Sequence, residues 1–102
     1  MQKRRSKRVI KRLEVTFNVR GHIYTGITSD ISKEGIFIRT QKGLPPGITV
    51  EVELYLPSGE MLKMQGVVKR TIKTPYQQIK NGMGIELTDP PQKFTDFANS
   101  LE

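Results

Sequence analysis

The chain has 102 residues, room for one compact domain and too few for a second core. Its 17 lysines and arginines exceed 10 aspartates and glutamates by seven, a surplus that points to an anionic partner. All of that surplus lies in residues 1–12, where Lys3, Arg4, Arg5, Lys7, Arg8, Lys11 and Arg12 meet no acid, so the body is neutral.

Valine, isoleucine and threonine supply 26 residues against a single alanine, a strand-forming profile that excludes a helical bundle. No cysteine is present and His22 stands alone. A disulfide framework, a thiolate metal site, a cysteine nucleophile and a Ser-His-Asp triad are thereby removed. Apolar runs are short and the basic start is not followed by one, so the sequence reads as soluble and cytoplasmic, without signal peptide or membrane insertion.

The basic arm, residues 1–12, lacks a helical period and should be ordered only where a ligand or the domain holds it. From Leu13 the pattern becomes strand-like: Leu13, Val15, Phe17 and Val19 alternate with Glu14, Thr16, Asn18 and Arg20. Gly21-His22 offers a reversal into a second strand over 22–28, and Asp30-Ile31-Ser32-Lys33-Glu34-Gly35 is a polar turn leading to a third at 36–40. Leu44-Pro45-Pro46-Gly47 breaks the chain. Val50, Val52, Leu54 and Leu56 form a fourth strand, and Pro57-Ser58-Gly59-Glu60 turns it into a long fifth over 61–74. After a polar excursion over 76–81 comes a short sixth strand, Gly84–Leu87. Phe94, Phe97, Ala98 and Leu101 then fall on one face of a terminal helix at about 90–102, with Thr88 or Asp89 as its cap and Pro90-Pro91 in its first turn. The expected fold is mainly all-β: a six-stranded antiparallel small barrel over 13–102, closed by a C-terminal helix and preceded by a flexible basic arm.

Two segments carry chemistry suited to a nucleotide. Arg4 and Arg8 are four apart and fall on one side of the arm whether it is helical or extended. Their guanidinium forks match phosphate oxygens or the guanine O6/N7 edge, and Arg8 with Arg12 shares the spacing. In the turn, the Asp30 carboxylate can accept from guanine N1–H and N2–H2, the Ser32 hydroxyl can donate to phosphate, and Gly35 permits close backbone approach. His22 reads as a turn residue and Glu51 with Glu53 as a solvated strand face. Met61, Met64 and Met83 read as packing, and no phosphate loop or catalytic constellation is present.

Together Arg4-Arg5-Ser6-Lys7-Arg8 and Asp30-Ile31-Ser32-Lys33-Glu34-Gly35 resemble the signature of the PilZ domain, the bacterial cyclic-di-GMP receptor module. Gly35-Ile36-Phe37-Ile38, Gly66-Val67-Val68 and Gly84-Ile85-Glu86-Leu87 extend the likeness along nearly the whole chain. The Arg4/Arg8 register is preferred because Arg12 adjoins Leu13. The resemblance implies a non-enzymatic second-messenger receptor whose arm folds over cyclic-di-GMP on the barrel surface, without any other cofactor or metal. Arg4, Arg8, Asp30, Ser32 and Gly35 would be its ligand residues. Lys3, preceding the motif, is compatible with a stacked ligand pair, Arg5 is a possible further contact, and Arg70 occupies the fifth-strand position where some members stack an aromatic. The output would pass to an unknown downstream protein. Two alternatives remain open: a small nucleic-acid-binding barrel using the arm on phosphates, against which the neutral body and few aromatics argue, and a PilZ-like adaptor that binds protein only.

Overall fold

A computed structural model describes residues 7–75 and 81–101. Seven strands and one helix follow in chain order: β1 (Val9–Ile10), β2 (Glu14–Val19), β3 (His22–Ile31), β4 (Gly35–Arg39), β5 (Thr49–Tyr55), β6 (Met61–Ile72), β7 (Gly82–Thr88) and α1 (Gln92–Ser100). All pairings are antiparallel, in the order β1-β3-β2-β5-β6-β7-β4, and a further β3–β4 pairing closes β2 to β7 into a six-stranded barrel. Closure leaves the six strands with no continuous open edge.

Alternation decides which side chains fill the barrel. Val15 and Phe17 of β2, Val50, Val52 and Leu54 of β5, Leu62, Met64 and Val68 of β6, and Met83, Ile85 and Leu87 of β7 all point inward and are buried. Met61, read as packing, is instead 38% exposed, because it is in odd register with Leu62 and Met64.

The first hairpin turns through Arg20 and Gly21, whose φ values of 53° and 83° match the right-handed strand twist. The turn therefore lies one residue earlier than Gly21-His22, and His22 opens β3. Asn18 Oδ1 accepts from the Gly21 N–H at 3.1 Å and steadies the non-glycine positive φ at Arg20. The excursion over 76–81 lies outside the described residues except for Asn81. That side chain acts as a surrogate strand residue, accepting from Thr74 N–H and donating to Thr74 C=O, both at 2.9 Å.

Helix α1 starts at Gln92, with Pro91 in the cap position and no side-chain cap. Thr88 and Asp89 do not serve, because residues preceding proline are held out of the helical region, which delays the helix past Pro90-Pro91. Its first turn is anchored by Phe94 N–H donating to Pro91 C=O at 2.9 Å. Phe94 and Ala98 join the barrel's interior cluster, Phe97 and Leu101 pack against it, and Lys93 pairs with Glu60 of the β5–β6 turn. That hydrogen bond and charge raise the Lys93 pKa above 10.5. The small stabilisation linked to this raised Lys93 pKa is therefore lost as pH rises above that value.

Phe94 is fully buried, so Phe94→Ala should cost about 3–5 kcal/mol in urea unfolding and abolish the helical signal in circular dichroism. Retention of wild-type stability would mean that α1 is not part of the barrel core.

Candidate functional site

Strand β1 lies inside the stretch read as arm and continues along the same edge of β3 that β2 occupies, pairing Val9 with Ile31 and Ile10 with Asp30. Thr28 holds the link. Its buried hydroxyl donates to Lys11 C=O at 2.6 Å and accepts from Leu13 N–H at 2.8 Å, while Thr28 N–H donates to Leu13 C=O at 2.8 Å. Lys11 N–H adds a bond to Ser29 C=O at 3.1 Å. The domain's own strand and Thr28 thus hold the base of the arm, and Thr28 had no sequence signal beyond strand propensity.

Arg8 projects from this anchored segment onto the predicted turn. Its Nε donates to Asp30 Oδ1 at 2.7 Å and its Nη1 to Ser32 Oγ at 3.4 Å. Two of the guanidinium's five donors are used, which leaves three for another acceptor. The Arg8 side chain is 48% exposed and that of Asp30 19%. A pair so exposed contributes at most about 1 kcal/mol to stability, so its main effect is to fix where the guanidinium sits.

Ser32 does more than face solvent. It is 3% exposed, its N–H donates to Gly35 C=O at 2.9 Å and its Oγ accepts from Glu34 N–H at 3.3 Å, closing the β3–β4 turn. Gly35 is required by packing: a Cβ there would stand 2.3 Å from the Ile85 carbonyl oxygen of β7. Asp30, Ser32 and Gly35 are therefore set by the local fold, and Arg8 is brought to the first two.

Next to this turn is a cleft of about 340 Å³, lined by Arg8, Glu34, Gly35, Phe37, Lys69, Arg70, Gly84, Ile85 and Glu86. One cross-strand row runs from the turn into the cleft: Asp30 pairs with Phe37, Phe37 with Gly84, and Gly84 with Arg70, the last three lining it. Two bulges flank this row, at Ser29 in β3 and at Lys69 in β6. A bulge inserts one residue and breaks the two-residue alternation. Lys69 and Arg70 consequently both face outward. Arg70 lies over the Phe37 ring at 5.9 Å, a cation–π arrangement, and Lys69 pairs with Glu86 at 3.3 Å. Arg70 crosses over Gly84, where a Cβ would meet Arg70 Cγ at 3.6 Å and Phe37 Cδ2 at 3.8 Å, in ordinary van der Waals contact.

Of the sequence-predicted residues, Arg8 bonds both Asp30 and Ser32, and Gly35 and Arg70 line the same cleft as Arg8. Lys3, Arg4 and Arg5 lie outside the described residues. Sequence reasoning missed Phe37, Lys69, Gly84 and Glu86. Phe37 was readable, since Ile36 and Ile38 point inward and leave it outward; it is nonetheless only 3% exposed. Lys69 was not, because nothing in the sequence marks the bulge. Among the described residues no cluster of acidic or histidine side chains could hold a metal ion, and no helix is long and apolar enough to cross a membrane.

Comparison with known proteins agrees with this architecture. The PilZ domain family model matches residues 2–96, and the chain belongs to the PilZ domain family, a family of cyclic-di-GMP receptors that are regulatory modules. Among solved structures it is similar to the Bacillus subtilis inhibitor of motility MotI/DgrA, at 20% identity and a TM-score of 0.80, covering 98% of this chain and 51% of that one. It thus spans about half the length of that protein. The PilZ domain of CeSA from a cellulose-synthesizing bacterium follows at 23% identity and a TM-score of 0.65, over 91% of this chain and 90% of that one. The PilZ domain of YcgR from Escherichia coli, solved with c-di-GMP, has 14% identity and a TM-score of 0.73, over 98% and 92%. At these identities the likeness establishes the fold. Among curated proteins no sequence matches.

Replacing Thr28 by valine keeps its shape but leaves the Leu13 N–H without its acceptor. Thr28→Val should therefore cost about 1–3 kcal/mol and speed hydrogen exchange at Leu13 well beyond that at the β5–β6 ladder. Uniform exchange across both would show that Thr28 does not clasp the arm.

Proposed function

We propose that this domain is a cyclic-di-GMP receptor in which the N-terminal arm closes over the β3–β4–β7–β6 cleft and alters the surface offered to a downstream protein. The observation that carries this reading is the Arg8 guanidinium bonded to Asp30 and Ser32, which joins the arm motif and the turn motif at one cleft. Arg8, and by position Arg4, hold phosphate oxygens or guanine edges through charge-assisted, bidentate donors. Asp30 accepts from the guanine N1–H and N2–H2 edge, and Ser32 fixes the turn that aims it. Gly35 keeps β4 against β7 and the cleft floor low. Arg70 is suited to stack on a base, since a guanidinium already over an aromatic ring can take a second planar group on its free face. Lys3 and Arg5 are further contacts in this reading, and Lys3 is compatible with a stacked ligand pair.

The energetics favour the arrangement. Residues from Val9 to Leu13 are already held by β3 and Thr28, so binding need not order them. That removes a cost of about 1–2 kcal/mol for each residue. Charge-assisted hydrogen bonds of about 1.5–3 kcal/mol each from two arginines and Asp30 then suffice for affinity near micromolar, about −8 kcal/mol. The domain acts in this reading as a soluble cytoplasmic module, with chemistry left to its partner.

Calorimetric titration with cyclic-di-GMP tests the proposal. Wild-type protein should bind with near-micromolar affinity; Arg8→Ala should lose detectable binding and Asp30→Asn should weaken it at least about tenfold, or about 1.4 kcal/mol. Wild-type affinity in Arg8→Ala would overturn the assignment of the arm. A duplex-DNA affinity falling with salt at a log–log slope steeper than about −5 would instead favour the nucleic-acid reading.

A further inference from the structure

The barrel has a second organised surface, on the arc opposite the cleft. The cleft spans the second halves of β3 and β6 together with β4 and β7, whereas this surface spans their first halves together with β2 and β5. Register arranges its outward residues in rows: Ile27 beside Glu14 and Tyr55 beside Met61; Thr25, Thr16, Glu53 and Lys63; Ile23, Asn18, Glu51 and Gln65.

Two properties distinguish it from an ordinary solvated sheet. Ile23 is 67% exposed, Ile27 48%, Met61 38% and Tyr55 36%, and a shallow groove of about 380 Å³ runs between Ile27 and Tyr55 past Glu14, Thr16 and Thr25. Isolated exposed apolar side chains are ordinary on any surface; here Ile27 and Tyr55 line one groove, Met61 adjoins Tyr55 and Ile23 shares the face, a grouping that marks an interaction site. The charge is also opposite to that of the chain as a whole. Within these strands Glu14, Glu51 and Glu53 share the face with one cation, Lys63, and Arg39 of β4 flanks it beside Ile27, although the chain carries a net +7. Glu53 is held in place: its Oε1 accepts from Tyr55 Oη at 3.3 Å and from Thr16 Oγ1 at 3.4 Å. A carboxylate oriented before binding loses little side-chain freedom when a partner arrives.

We propose that this face docks a protein segment presenting apolar side chains flanked by lysine or arginine. Ile23, Ile27, Tyr55 and Met61 supply the apolar contact, and Glu14, Glu51 and Glu53 supply complementary charge that selects the partner and sets its orientation. The inference is independent of the nucleotide reading, because no residue of the face lines the cleft. Partner and nucleotide would thus occupy the barrel together.

The test is a titration of isotope-labelled protein with a short peptide of alternating lysine and valine, and with its glutamate–valine counterpart, followed by amide chemical shifts. The basic peptide should perturb Ile23, Ile27, Tyr55 and Met61 and saturate, with and without cyclic-di-GMP, while the acidic one should not. Glu51→Lys with Glu53→Lys should weaken the basic peptide at least about tenfold. Ile27→Ser should weaken it while leaving the unfolding midpoint and calorimetric nucleotide binding unchanged. Perturbations confined to the arm and cleft, an absence of shifts, or equal binding of both peptides would overturn the proposal. So would a wild-type dimer in sedimentation that Ile27→Ser converts to monomer, since a second copy would then be the occupant. Loss of nucleotide binding with peptide docking intact would overturn only the receptor reading.

Discussion

The structure depends on the backbone hydrogen bonds of β3. Its ten residues pair with β2 over His22–Ile27 and with β1 over Asp30–Ile31 on one edge, and with β4 over Ile27–Ile31 on the other. Remove the β3–β4 pairing and the barrel opens into a sheet with β4 and β3 as unprotected edges, each a row of unpaired N–H and C=O groups. The same strand then fixes the arm, because β1 can only lie where β2 has left the β3 edge free. Thr28 stands at that changeover, with its buried hydroxyl bonding Leu13 and Lys11 across the gap between the two short pairings. Closure and placement of Arg8 are consequently one problem with one solution.

Bulges convert this scaffold into a site. A regular barrel would alternate inward and outward side chains along every strand, and a strand could present only every second residue to a ligand. The extra residue at Ser29 allows Thr28 to stay buried while Asp30 faces outward, and the extra residue at Lys69 lets two consecutive cations face the cleft. Both irregularities abut the row from Asp30 through Phe37 and Gly84 to Arg70, so their cost in ladder hydrogen bonds is spent where side chains need re-aiming. Gly84 is the complement of these additions: the row has no side chain at its third position, and Arg70 crosses over it to reach Phe37.

The strands and helix were legible because their periods are simple. Leu13 to Val19, Val50 to Leu56 and Phe94 to Leu101 each bury what their alternation or helical spacing says they should, since one face of each meets a single core. Arg8, Asp30, Ser32 and Gly35 were legible as a set by type and order along the chain. What escaped was tertiary. A bulge has no local signature when it falls within Val67-Val68-Lys69-Arg70, where every residue is acceptable in a strand. The helix start shifted because two successive prolines outweigh a nearby capping residue. Val9–Ile10 was too short to show any period, yet pairing with β3 and the Thr28 clasp make it a strand. Gly35 was read for ligand approach, whereas the Ile85 carbonyl of β7 supplies a reason within the fold itself.

The net charge acquires its meaning from this geometry. A +7 chain would, if its cations were spread evenly, repel a basic partner from every side. Here the excess is confined to the first twelve residues, and the arm enters the fold on β3 beside Asp30 and projects Arg8 to the cleft. Around the rest of the barrel basic and acidic side chains balance, and on the β2–β5 arc carboxylates predominate. With a screening length of about 8 Å at physiological ionic strength, two surfaces on opposite arcs of a barrel are electrostatically separate. One small domain can therefore hold an anion with its arm and a cationic segment with its far side, each with little penalty from the other.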